Sequence, residues 1–206
     1  MKRILLVVAI ALVTGSSMLA QSVLRGPYLQ FPTSSSMKVM WRTDIATPSR
    51  VYYGPSLATV MDNQVDVAAA VTNHTVNITG LDTYTEYYYA VSDGVSVLAG
   101  GDDNHRFRTS PEIGTVQPIR AWVIGDFGKG NEKQMDVKDA FLDHVGDSMP
   151  DLWLWLGDNA YEEGTDEEFT NKVFGTQYGY GEIFPRIPFM ATPGNHDYGS
   201  VLNILT

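Results

Sequence analysis

Three places in the sequence combine a glycine with a polar side chain able to do chemistry: Gly125-Asp126, Gly157-Asp158 and Gly194-Asn195-His196. A carboxylate pair, an amide and an imidazole together suit a hard or borderline divalent or trivalent metal. The glycines let the backbone turn sharply and bring the next side chain close to a bound ion. One Gly-Asp by itself is an ordinary turn, so the weight falls on the series. The gaps are 32 residues (126 to 158) and 37 residues (158 to 195), and each has room for one helical crossover between parallel strands.

Apolar runs precede these positions, and they read as buried strands: Arg120 to Ile124, Leu152 to Leu156 and Ile187 to Ala191. Between the first two, Asn131 to Val145 has helical periodicity, with Val137, Ala140, Phe141 and Val145 expected on the inner face. Asp166 to Phe174 reads as a second, short helix. Alternation of strand and helix implies a largely parallel α/β sheet. In open α/β sheets, sites form beyond the carboxyl ends of the strands. The expected rim therefore collects Asp126, Asp158, Asn195 and His196.

The preceding stretch, residues 21–112, follows a different pattern. Met37, Val39 and Trp41 alternate with Lys38, Met40 and Arg42, and Tyr87, Tyr89 and Val91 alternate with Glu86, Tyr88 and Ala90. Short period-two strands separated by turn residues predict an all-β sandwich. Leu81 followed six residues later by Tyr87 resembles the corner of fibronectin type III domains, where the tyrosine hydroxyl bonds back to the corner backbone; Tyr87 and Trp41 are thus expected to be structural. Asn73-His74-Thr75 and Asn77-Ile78-Thr79 match the short glycosylation pattern. Pro111, Gly114 and Pro118 punctuate a linker, assigned to 113–118, and the α/β unit occupies 119–206.

Composition narrows the function classes. Among 206 residues, 14 are Lys or Arg and 24 are Asp or Glu, giving a net charge of −10. Residues 113–206 hold 15 of the acidic residues against 6 basic ones. Such a surface argues against nucleic acid as a partner, because phosphate contacts need clustered cations. The chain has no cysteine, which excludes disulfide scaffolds, thiolate metal sites and thiol nucleophiles. At the start, Met1-Lys2-Arg3 precedes ten apolar residues, Ile4 to Val13, and then small and polar residues up to Ala20. Ten residues are too few to cross a bilayer. The order is that of a secretory signal peptide over 1–20, so export to the periplasm or medium is expected, with no membrane span.

Asp126-Phe127-Gly128, Gly157-Asp158-Asn159-Ala160-Tyr161 and Gly194-Asn195-His196-Asp197 resemble the first three motif blocks of the calcineurin-like metallophosphoesterases. Tyr161, three residues after Asp158, and a preceding fibronectin III-like domain narrow the resemblance to the purple acid phosphatase branch. The resemblance implies a dinuclear centre of iron(III) and a second divalent metal (iron, zinc or manganese). Asp126 would bind the iron, Asp158 would bridge the two metals, Tyr161 would bind iron as phenolate, and Asn195 would bind the second metal. His196 would contact the phosphate or the leaving group. The implied activity is hydrolysis of phosphate monoesters, with a phosphate ester and metal ions as partners.

The family pattern includes two later blocks, Val-x-x-His and Gly-His-x-His. No histidine here has that context: His74 and His105 fall in the sandwich and His144 late in a helix. The expectation is a fragment of a longer enzyme, binding metal weakly and inactive alone. The alternatives are a calcineurin-like phosphodiesterase and a non-catalytic exported binding module.

Overall fold

The computed structural model describes residues 21–198. The expected signal peptide at 1–20 lies outside the described residues.

Six strands build the first unit: β1 (Val23–Gln30), β2 (Ser36–Gly54), β3 (Asn63–Thr79), β4 (Glu86–Ser92), β5 (Val97–Gly100) and β6 (Arg106–Arg108). The antiparallel ladder has β2 at its centre. Its first half pairs with β1 and with the end of β3 (Met37 with Ile78, Trp41 with His74), and its second half pairs with the start of β3 and with β4 (Val51 with Val65 and with Val91). The β2–β3 register shifts between Arg42 and Thr47, where the long hairpin passes from one layer to the other. Leu29, Met37, Val39, Trp41, Val76 and Ile78 thereby face Val51, Tyr89, Val91 and Phe107 in one core. This is the expected sandwich.

The corner expected from Leu81 and Tyr87 is present: the Tyr87 hydroxyl accepts from the Asp82 N–H at 2.9 Å. Trp41 is buried and stacks on His74 at 4.6 Å between centroids. The His74 ring is satisfied by the Thr43 and Ser49 hydroxyls at 2.7 and 2.8 Å, and burial lowers its pKa. His74 is a core residue.

The second unit carries parallel strands β7 (Ala121–Ile124), β8 (Leu152–Trp155) and β9 (Phe189–Ala191) in that spatial order. Helix α1 (Glu132–Val145) joins β7 to β8, capped by the Asn131 side chain, which accepts from the Gln134 N–H. A short helix, α2 (Asp166–Glu168), runs into a wider π-type turn over Phe169–Val173. Trp122, Trp153, Trp155, Phe184 and Phe189 fill one side of the sheet.

The face of α1 differs from expectation. Val137 and Ala140 are exposed, while Gln134, Lys138 and Phe141 are buried. Specific partners explain the two polar residues. Gln134 accepts from the Gly130 N–H and donates to the Lys172 carbonyl, and Lys138 pairs with Glu182 at 2.8 Å. Hydrogen-bonded polar groups tolerate burial, so apolar periodicity alone misplaces the face.

The two units are joined by more than a linker. Tyr28 of β1 inserts its ring among Phe174 and Phe189, with centroids 5.1 and 5.9 Å away. The Tyr89 hydroxyl donates to the Pro185 carbonyl at 3.0 Å. Arg25, only 3% exposed, meets Asp166 at 3.0 Å, and Arg42 meets the other oxygen of the same carboxylate at 2.5 Å.

Candidate metal centre

Asp126 follows β7, and Asp158 lies three residues past β8. Both adopt left-handed backbone angles, φ 58° and 52°. Such a conformation is uncommon for a residue with a Cβ, is tolerated best by Asp and Asn, and clusters at functional sites. It turns each carboxylate back over the rim. The Asp126 N–H donates to the Gly157 carbonyl at 3.0 Å, which locks the first two strand-end turns together.

Glycine is required where the third turn meets the second. A Cβ on Gly194 would lie 2.2 Å from an Asp158 carboxylate oxygen, and one on Gly128 would lie 1.9 Å from the Asn159 carbonyl. Only hydrogen at these positions permits the close packing of the three turns.

Tyr161 is buried to 6% exposure, and its hydroxyl donates toward Asp126 Oδ1 at 2.9 Å and Asp158 Oδ2 at 3.2 Å. Burial, then these two hydrogen bonds and the carboxylate charges, push the Tyr161 pKa well up. Three oxygens from two strand ends thus meet. Among the described residues neither carboxylate has a Lys, Arg or His ion-pair partner. The nearby Lys129 ammonium instead lies 3.5 Å from the Tyr161 ring centroid and pairs with Glu162 at 3.2 Å. Two carboxylates sharing a phenol proton offer the oxygen donors a hard cation takes, although among the described residues no three His, Asp or Glu side chains gather to complete a shell.

His196 joins the same rim. Its N–H donates to Asp158 Oδ1 at 2.9 Å, and its ring packs on Tyr161 at 4.7 Å between centroids. The ring Nδ1 lies 2.6 Å from the Glu162 carbonyl. A carbonyl only accepts, so Nδ1 carries a proton and Nε2 is left for other work. Asn195 opens a single-turn helix, Asn195–Asp197, that includes His196; it is exposed, and its amide makes no hydrogen bond among the described residues. The structure therefore brings Asp126, Asp158 and Tyr161 into contact, ties His196 to them, and leaves Asn195 beside them with its side chain uncommitted.

Two residues that hold the site were not singled out from the sequence. Asp197, 4% exposed, accepts from the N–H groups of Gly194 (2.7 Å), Asn159 (2.9 Å) and Ala160 (3.2 Å), and from the Asn159 amide (2.9 Å). Glu168 accepts from the N–H groups of Glu162, Glu163 and Thr165 and pairs with Lys172. Burial opposes its ionisation, but Lys172 and the three backbone donors prevail and hold its pKa at about 2. The available sequence signal was Thr165-x-x-Glu168, a capping box.

Residues 25–111 match the family model described as the purple acid phosphatase N-terminal domain. Residues 119–204 match the model of the calcineurin-like phosphoesterases. Among solved structures, that of PhoD aligns with 82% of this chain at 16% identity and a TM-score of 0.59. The chain spans 38% of the PhoD chain, and at this identity the likeness concerns fold. The fn3 domain of human collagen alpha-1(XX) chain aligns with 51% of this chain, over 99% of its own length, at 17% identity and a TM-score of 0.34. No curated protein matches. With its sandwich, its parallel sheet and these two family matches in chain order, the chain carries a purple acid phosphatase N-terminal domain followed by a calcineurin-like phosphoesterase domain.

Proposed function

We propose that the protein to which this chain belongs hydrolyses phosphate monoesters with a dinuclear metal centre and is exported by its first twenty residues. The observation that carries the reading is the meeting of Asp126, Asp158 and Tyr161 oxygens at the ends of parallel strands, the two carboxylates having no ion-pair partner among the described residues. In this reading Asp126 and Tyr161 would hold iron(III), Asn195 would hold a second metal (iron, zinc or manganese), and Asp158 would serve both. When bound, the metals supply Lewis acidity and charge neutralisation toward a phosphoryl group.

The remaining roles belong to the side chains. Tyr161, whose hydroxyl now points its proton toward both aspartates, would serve iron as a phenolate ligand. His196, with Nδ1 donating to the Glu162 carbonyl, keeps Nε2 free, and in the doubly protonated ring Nε2 passes its proton to the leaving alkoxide oxygen. Asp197 ties the second and third turns together and Glu168 holds the segment after Tyr161, neither touching substrate. Lys129 adds positive charge at the rim for an anionic ester.

The test is hydrolysis by the intact, iron-loaded protein of p-nitrophenyl phosphate against bis(p-nitrophenyl) phosphate. Preference for the monoester supports the proposal. Activity confined to the diester would move the protein to the phosphodiesterase reading, and loss of neither activity in Asp158→Asn would remove the site.

A further inference from the structure

A cleft of about 250 Å³ opens at the seam between the sandwich and the α/β unit. It lies at the amino-terminal ends of the parallel strands, where Arg120 precedes β7, Asp151 precedes β8 and Pro188 precedes β9. The rim with Asp126 and Asp158 is at the opposite ends. Four arginines line the cleft against three carboxylates, an excess of positive charge in a chain whose net charge is −10.

The partners of each group show which charge is spare. Arg108 is drawn to the ring of Tyr84, 5.1 Å from its centroid. Arg120 spends its guanidinium on the carbonyls of Ser148 and Met149 and on the Ser148 hydroxyl, at 2.8 to 2.9 Å, which ties down the turn after α1. Asp151 accepts the Arg120 backbone N–H at 2.9 Å and keeps its negative charge. Arg106 stands 3.9 Å from Glu86, has the Tyr88 hydroxyl as a further partner, and reaches the Asp147 carbonyl only at 3.5 Å.

Arg186 is different. Its side chain makes no hydrogen bond or ion pair among the described residues, and its Nε is buried without a partner. Burial pushes its pKa down and Arg106 adds to that, while Asp147, Glu86 and Glu182 pull the other way. A half-buried guanidinium lacking hydrogen bonds is costly, and a second guanidinium close by adds repulsion. An oxyanion between the two would relieve both, since the guanidinium fork matches its geometry bidentately.

We propose that this cleft binds a tetrahedral oxyanion, with Arg186 as the anchor and Arg106 closing over it from the sandwich. The site needs no metal and is independent of the rim. Because its two cations come from different units, the ligand ties the sandwich to the α/β sheet. Two sources share this chemistry, free phosphate and the phosphoryl group of a small ester.

The test is calorimetric titration of the metal-free chain with inorganic phosphate and, separately, with glycerol 2-phosphate. One saturable site is expected, weakening as salt is raised. Its affinity should fall about tenfold or more in Arg186→Gln, as the loss of a charged hydrogen bond implies, and measurably in Arg106→Gln. The tighter of the two ligands identifies the source. If Arg186→Gln melts far below wild type, Arg106→Gln in the other unit decides. Absence of saturable binding by either ligand, or wild-type affinity in both variants, overturns the proposal. Binding of an acidic peptide with none of phosphate would also overturn it and make the seam a peptide-docking groove.

Discussion

Replacing Asp197 by alanine should unfold the rim before it touches any proposed ligand. The carboxylate accepts four hydrogen bonds from Gly194, Ala160 and both nitrogens of Asn159, all of them in the second and third strand-end turns. At 4% exposure, water cannot replace them without local opening. Bonds to a charged acceptor contribute about 1.5–3 kcal/mol each, but four donors on one carboxylate are strongly coupled and do not add. Removing one member of a buried polar network costs about 3–5 kcal/mol. With a urea m-value of about 2 kcal/mol/M, the midpoint should fall by about 1.5–2.5 M. Asp197→Asn keeps one accepting oxygen and loses the charge, and should lie between. Urea unfolding followed by tryptophan fluorescence is a direct assay, because Trp153 and Trp155 are buried in the adjacent core. An Asp197→Ala midpoint within about 0.5 M of wild type would refute the reasoning.

Tyr87→Phe removes the acceptor of the Asp82 N–H and should cost about 1–3 kcal/mol; an unchanged melt would show that the corner bond is dispensable. Gly128→Ala places a methyl group where the Asn159 carbonyl already sits, so the variant should be poorly folded, which a lost near-ultraviolet dichroism spectrum would report. Asp166 provides the pH test. Burial alone would raise its pKa, but Arg42 and Arg25 hold the folded value below the ordinary 3.8. The contribution is therefore fully present above about pH 4 and disappears as pH falls through the lower folded value. At 39% side-chain exposure it is screened to about 1 kcal/mol or less. Asp166→Asn should thus trail wild type by a constant margin from pH 7 to about 5 and converge with it in stronger acid; a gap that widens in acid would contradict the assignment.

The sequence exposed the parts of the fold that depend on period and turn chemistry. Alternation around Met37 and Tyr89 located the sandwich, Leu81 and Tyr87 located its corner, and the glycine-led turns after three apolar runs located the rim. Its blind spots were long-range polar partners. Gln134 and Lys138 are buried because Lys172 and Glu182 lie opposite them, and no local pattern announces that. Tyr28 reads as one more strand residue, yet its ring serves the other unit's core. Asp197 followed the conspicuous Asn195-His196 and was passed over, although four inward donors make it the keystone of the turn.

The central claim is that Tyr161, held between Asp126 and Asp158, exchanges its shared proton for iron(III). The most direct measurement is the visible absorption spectrum of the intact protein expressed with iron, beside that of Tyr161→Phe. The account predicts a phenolate-to-iron band in the wild type and none in the variant. A band that survives Tyr161→Phe, or an iron-loaded wild type with no visible band, would contradict it.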